Sequence, residues 1–154
     1  MIGITNSRHA WPDEGVTRVS YFVYEDADLY EDEQRLIFRG PVWNYLGLEI
    51  EIPTAGDYIT SHVGDTPVIV LRRVDGGISA MVNRCAHKGS MICYQPAGHV
   101  SELTCPYHNW VYDLDGNLKS VAFGHGAADK AACRPISPCP RIRSYASRWR
   151  RSAA

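Results

Sequence analysis

At 154 residues the chain is long enough for one domain with its own core, and 45% hydrophobic with 21% charged residues is the balance of an ordinary folded protein. Its longest aliphatic run, Val68 to Leu71, falls far short of the ~20 residues of a membrane span. The polar opening Met1 to Pro12 has no apolar centre of the signal-peptide kind, so a cytoplasmic location is expected.

The net charge of −1 conceals a division. Residues 1–123 carry nine Lys/Arg against sixteen Asp/Glu, whereas residues 124–154 carry seven Lys/Arg against one Asp. Five cysteines in a reducing compartment point to metal ligands or free thiols before disulfides.

In chain order, the N-terminal segment 1–40 comes first. Asp28-Leu29-Tyr30-Glu31 has the form of a capping box, with Asp28 accepting from first-turn amides and Glu31 reaching back. Leu29, Leu36 and Ile37 then recur at helical spacing, and Gly40-Pro41 stops the element. The pattern predicts a helix over about 28–39 that packs this stripe on the rest of the domain.

From residue 41 the signals change to short strands. Trp43–Glu51, Asp57–Val63, Val68–Arg73 and Ile78–Asn83 are rich in β-formers and separated by turn residues. Asp75-Gly76-Gly77 is a hairpin signal, as is Asp115-Gly116 between Trp110–Tyr112 and Leu118–Val121. The fold class is mainly β: a small antiparallel β-domain over 41–123, preceded by a helix.

Two ligand-type pairs fall in loops of that domain. Cys85-Ala86-His87 is the first and Cys105-Pro106-Tyr107-His108 the second, with seventeen residues between His87 and Cys105. Two thiolates and two imidazoles from two loops are the donor set of a Rieske-type [2Fe–2S] cluster, in which two cysteines hold one iron and two histidines the other. The mixture has an electrostatic purpose. Neutral imidazoles in place of two thiolates reduce the negative charge, so potentials lie at roughly −150 mV or above, against about −400 mV for all-thiolate plant-type clusters. A tetrahedral Cys₂His₂ zinc module uses the same residue types. Zinc fingers normally put both cysteines in one pair and both histidines in the other, whereas here each pair holds one of each.

Asn83-Arg84-Cys85-Ala86-His87-Lys88-Gly89 and Cys105-Pro106-Tyr107-His108-Asn109-Trp110-Val111-Tyr112 resemble the two cluster boxes of Rieske non-haem iron aromatic-ring-hydroxylating oxygenase large (alpha) subunits. Trp43-Asn44-Tyr45-Leu46-Gly47-Leu48-Glu49-Ile50-Glu51-Ile52-Pro53, with Gly56-Asp57, extends the likeness, which is greatest to the terephthalate, anthranilate, halobenzoate and salicylate types and covers about 10–123. Lys88 stands where the family often has Arg, and Asn109 where Gly is common.

The resemblance implies that Cys85 and Cys105 bind the buried iron, and His87 and His108 the outer one. It also implies a reductase or ferredoxin as electron donor and a neighbouring alpha subunit as acceptor, with His108 facing that subunit. Trp110 and Tyr107 would cover the cluster or serve as core packing. Respiratory Rieske proteins link their cluster loops by a disulfide, for which Pro106-Tyr107 supplies no cysteine. Cys93 therefore reads as a small apolar filler, and His9, His62 and His99 as ordinary histidines. A stand-alone Rieske ferredoxin is the alternative, but it needs neither the helix nor the Trp43 region.

Residues 124–154 read as a basic disordered tail or as out-of-frame translation of a GC-rich gene. Shifted codons from His125 onward permit Gly-Gly-Met-Pro-Ala-Asp-Phe, a run similar to one in the resembled family. On that reading Cys133 and Cys139 have no evolved role, neither nucleic acid nor membrane is a partner, and the catalytic domain with its mononuclear Fe(II) is absent. No residue of this chain is then expected to be catalytic.

Overall fold

The computed structural model describes residues 15–122. The tail from 124, with Cys133, Cys139 and the frameshift reading, lies outside them, as do Met1 to Pro12 and His9. Two compact units divide between Trp43 and Asn44.

In the first unit a 3-10 turn (Gly15–Thr17) precedes α1 (Phe22–Glu25) and α2 (Ala27–Glu33), and α2 runs directly into a π turn (Gln34–Phe38). The cap is Asp26 rather than Asp28: its backbone is extended, and its Oδ1 accepts from Leu29 N at 2.8 Å. Asp28 instead lies in the first helical turn, where its charge suits the helix dipole.

Of the expected stripe, Leu29 is half-buried. Leu36 and Ile37 remain 43% and 46% exposed, and Gln34 is the buried residue. The π turn accounts for this, because Arg39 N bonds back five residues to Gln34 O and the extra residue rotates the apolar positions off the helical stripe. Gly40 ends the element as predicted; a Cβ there would run into the Leu36 carbonyl.

The second unit contains two antiparallel sheets. β1 (Asp57–Val63), β2 (Thr66–Arg72), β3 (Ile78–Val82) and β4 (Ala97–His99) form one sheet in the order β3-β2-β1-β4. β5 (Leu103–Thr104), β6 (Val111–Tyr112) and β7 (Leu118–Ser120) form the other. β1 to β3 and the β6–β7 hairpin match the sequence expectation to within two residues at most ends. Both hairpin turns form as well, with Gly76 and Gly116 at φ of 79° and 81°.

β2 is the central strand and is buried on both faces. The alternation of its side chains divides the core in two. Val70, opposite Ile59 and Ala80, packs with Ile52 on one face. Ile69 and Leu71 join Tyr58, Leu103, Trp110, Tyr112 and Leu114 on the other, together with Cys85, Cys93 and Cys105.

Trp43–Glu51 is not a strand. It is irregular and ends in a 3-10 turn, Glu49–Glu51. Its backbone polar groups find side-chain partners instead of a ladder. The buried Arg72 guanidinium donates to Ile52 O (2.9 Å) and Glu49 O (3.2 Å), and Glu51 accepts from Leu48 N. Among the described residues no helix is long and apolar enough to cross a membrane.

Candidate metal centre

Both cluster loops leave a strand at a cysteine and return by the same hydrogen-bond frame. In the first, Cys85 N donates to Ser90 O and Gly89 N to Cys85 O, each at 2.8 Å. In the second, Cys105 N donates to Trp110 O (2.8 Å) and Asn109 N to Cys105 O (2.9 Å). The fifth residue of each frame is left-handed, Gly89 at φ 70° and Asn109 at φ 53°. Asn is the residue other than Gly that accepts this conformation most readily, so Asn109 fills the position without breaking the loop.

The matched frames bring like donors together. Cys85 and Cys105 are both buried in the same part of the core, near enough for the Cys85 side chain to lower the Cys105 thiol. His87 and His108, offset by one place in their loops, meet edge to face with ring centroids 4.7 Å apart. Trp110 stacks on His87 (4.7 Å, 7° between planes), and Tyr107 lies against His108 at 3.8 Å. Among the described residues no three His, Cys, Asp or Glu side chains group around a single metal position. A pair of thiols beside a pair of imidazoles suits a two-iron group better than one tetrahedral ion.

The electrostatics fit the same group. Burial raises the Cys105 thiol, but the Tyr107 and His108 backbone amides and the Cys85 and Ser90 side chains outweigh it. They hold the thiol below its ordinary value, toward the thiolate a metal needs. Burial, with His108 and Lys88 nearby, holds His87 below the usual imidazole value, which favours the neutral ring a ligand needs. Its Nδ1 is shut off from solvent and has no hydrogen-bond partner, a costly arrangement for a nitrogen with nothing to bind. The donor set therefore fits a [2Fe–2S] cluster.

Three supporting residues carry no ligand-type signal and were not assigned these contacts from sequence. The Tyr112 hydroxyl lies 3.1 Å from Cys85 Sγ and accepts from Ala86 N at 3.1 Å. Asn83, 1% exposed, closes the first loop: its Oδ1 accepts from Ile92 N and Cys93 N, and its Nδ2 donates to Cys93 O at 2.7 Å. Trp110 was expected only to cover the site or fill core.

Cys93 is the filler it was read to be. It is buried, and burial pushes its thiol up, only partly countered by the Tyr58 hydroxyl. His62 is exposed, while His99 pairs with Asp57 at 2.8 Å. Cys85, Cys93 and Cys105 are all free thiols.

Comparison with known proteins agrees with this geometry. Residues 42–129 match the Rieske [2Fe-2S] domain. The large subunit of anthranilate 1,2-dioxygenase from Burkholderia cepacia is 49% identical over 116 residues, covering 75% of this chain and 27% of that protein. The alpha 2 subunit of the terminal oxygenase component of terephthalate 1,2-dioxygenase from Comamonas sp. is 43% identical over 129 residues, covering 84% and 31%. Naphthalene 1,2-dioxygenase from Rhodococcus sp., solved with indole bound, superimposes with a TM-score of 0.67 at 32% identity, covering 77% of this chain and 26% of that one. The chain thus spans 27% and 31% of the length of these two curated relatives. It belongs to the Rieske [2Fe–2S] domain family and corresponds to the N-terminal Rieske portion of aromatic-ring-hydroxylating dioxygenase alpha subunits.

Proposed function

We propose that Cys85 and Cys105 hold one iron of a [2Fe–2S] cluster, that His87 and His108 hold the other, and that the chain is the electron-transfer domain of a ring-hydroxylating oxygenase. A reductase or ferredoxin is the electron donor. The acceptor is a mononuclear iron site, carried by a part of the relatives that this chain does not span, on the same or a neighbouring alpha subunit. The compartment of this reading is the cytoplasm, where Cys93, outside the ligand set, stays a thiol.

When bound, the cluster supplies a one-electron carrier whose imidazole ligands set a higher potential than an all-thiolate one. The chain's own residues prepare for it. The Tyr107 and His108 amides favour the Cys105 thiolate, and the Tyr112 hydroxyl faces the Cys85 sulfur. Trp110 and the core beneath exclude water from the sulfur side, while His108 is exposed. No residue of this chain is given a part in oxygen activation or substrate binding.

The observation that carries the reading is the thiol pair beside the imidazole pair, delivered by two loops with one hydrogen-bond frame. Its test is the visible and low-temperature EPR spectrum of anaerobically purified protein, oxidised and then dithionite-reduced. A red-brown protein with the low average g-value of a His-ligated [2Fe–2S] cluster is expected. A colourless protein with stoichiometric zinc, or a signal of the all-thiolate kind, overturns it.

A further inference from the structure

The two imidazoles are held in different ways. His108 is exposed, and the ring against it, Tyr107, is itself 63% exposed. His87 has its Nδ1 sealed from solvent, and the ring against it, Trp110, is 8% exposed and part of the apolar core. The Trp110 and His87 planes lie within 7° of each other at 4.7 Å, whereas Tyr107 and His108 are tilted by 41°.

Trp110 also belongs to the opposite loop. Its carbonyl accepts from Cys105 N, and its ring crosses to lie on the histidine of the first loop. An imidazole on one rotatable Cα–Cβ–ring linkage has two-fold freedom about its last bond. A buried flat ring parallel to it restricts the imidazole to the two orientations that share one plane, and the Nδ1 sealed from solvent marks the one adopted.

Resting on the ligand assignment above, we infer that Trp110 is the positioning residue for His87: its buried indole face fixes the plane of the imidazole whose Nδ1 is sealed from solvent. The contact needs a flat ring, not simply volume. Trp110→Phe keeps the flat face, whereas Trp110→Leu keeps apolar bulk and loses it. The indole links the two loops through one residue, so losing its face loosens one iron-binding half relative to the other.

The test uses the full chain with its cluster loaded. Trp110→Leu is expected to shift the EPR g-values and to lose its cluster to a chelator about two- to tenfold faster, the range set by one aromatic pair. Trp110→Phe is expected to restore both readouts, which a role in core volume alone does not require. Pulsed EPR with ¹⁵N-labelled histidine adds a reading on the wild-type protein, where one narrow imidazole coupling and one broader coupling are expected. Two equally broad couplings overturn the inference even if Trp110→Leu does not fold.

His87→Ala separates the two claims. If it retains the wild-type spectrum, the ligand assignment fails and the inference with it. If it abolishes the His-ligated signature while Trp110→Leu matches wild type in g-values and retention, the assignment stands and the positioning role is lost.

Discussion

At the scale of single residues, the hydrogen bonds aimed at sulfur are the first thing to test. A hydroxyl donating to a thiolate stabilises the more negative, reduced state of a cluster most, so removing it lowers the potential. The Tyr112 hydroxyl is 3.1 Å from Cys85 Sγ. A neutral hydrogen bond is worth about 0.5–1.5 kcal/mol, and for one electron 59 mV corresponds to a tenfold shift. Trp110 aside, Tyr112→Phe is therefore expected to lower the reduction potential by about 20–60 mV in a spectroscopic titration. An unchanged potential would show that the hydroxyl serves only Ala86 N.

The Asp57–His99 pair gives a pH prediction of opposite character. The bond to His99, reinforced by the Thr54 amide, lowers the Asp57 carboxyl below its ordinary value. A depressed carboxylate contributes stability above its unfolded pKa and loses it as pH falls through the folded one. Chemical denaturation of wild type and Asp57→Asn should thus differ near neutrality and converge as the pH drops below the usual carboxylate range. A constant difference down to pH 2 would place the effect elsewhere.

At the scale of elements, Arg72 determines what happens to the segment before β1. Its side chain, 9% exposed, donates to Ile52 O and Glu49 O, to Gly76 O, and to the Glu49 carboxylate at 2.8 Å. Arg72→Met strands the buried Ile52 carbonyl and removes the donor from two part-buried ones, and is expected to cost about 2–4 kcal/mol in urea unfolding. Glu49→Gln leaves those carbonyls served and removes only a half-exposed ion pair, so it should cost less than about 1 kcal/mol. Equal losses in the two variants would mean that the charge pair, not the carbonyl contacts, holds the segment.

This contact also explains what could be read in advance. β1 to β3 were legible because each is rich in β-formers and is bounded by turn residues, and local pattern and tertiary burial agree there. Trp43–Glu51 shows the same richness in β-formers, yet a distant arginine donates to its backbone at Glu49 O, and no local signal reports that. The helix was legible in kind but not in its cap or its buried face, because a π turn changes the period midway. The ligands stood out by residue type and spacing. Asn83 and Tyr112 act through a carbonyl, three amides and one sulfur far along the chain, so their roles emerge only in three dimensions.

At the scale of the whole molecule, the two halves of the core depend differently on the cluster. One half is Ile52, Ile59, Val70 and Ala80, which need nothing but each other. The other contains Cys85, Cys105, Trp110 and Tyr112, and surrounds the place where the donors meet. The sheets differ in the same sense: β1 and β2 are seven residues long, whereas β5 and β6 are two residues each and are joined by a cluster loop. Two-residue strands contribute little ladder of their own, so their order must come from what the loop holds. Metal binding is folding energy where ligands converge from separate loops, and removing it leaves the His87 Nδ1 buried and unpaired. Stripping the cluster with a chelator under reducing conditions is therefore expected to melt only part of the molecule. Hydrogen exchange followed by mass spectrometry should show residues 103–120 and the 83–93 loop losing protection, while 58–72 keep theirs, because local stability tracks buried apolar contacts. Uniform loss across both sheets would make the cluster a keystone of the entire unit, and full retention would mean the loops are preformed without it.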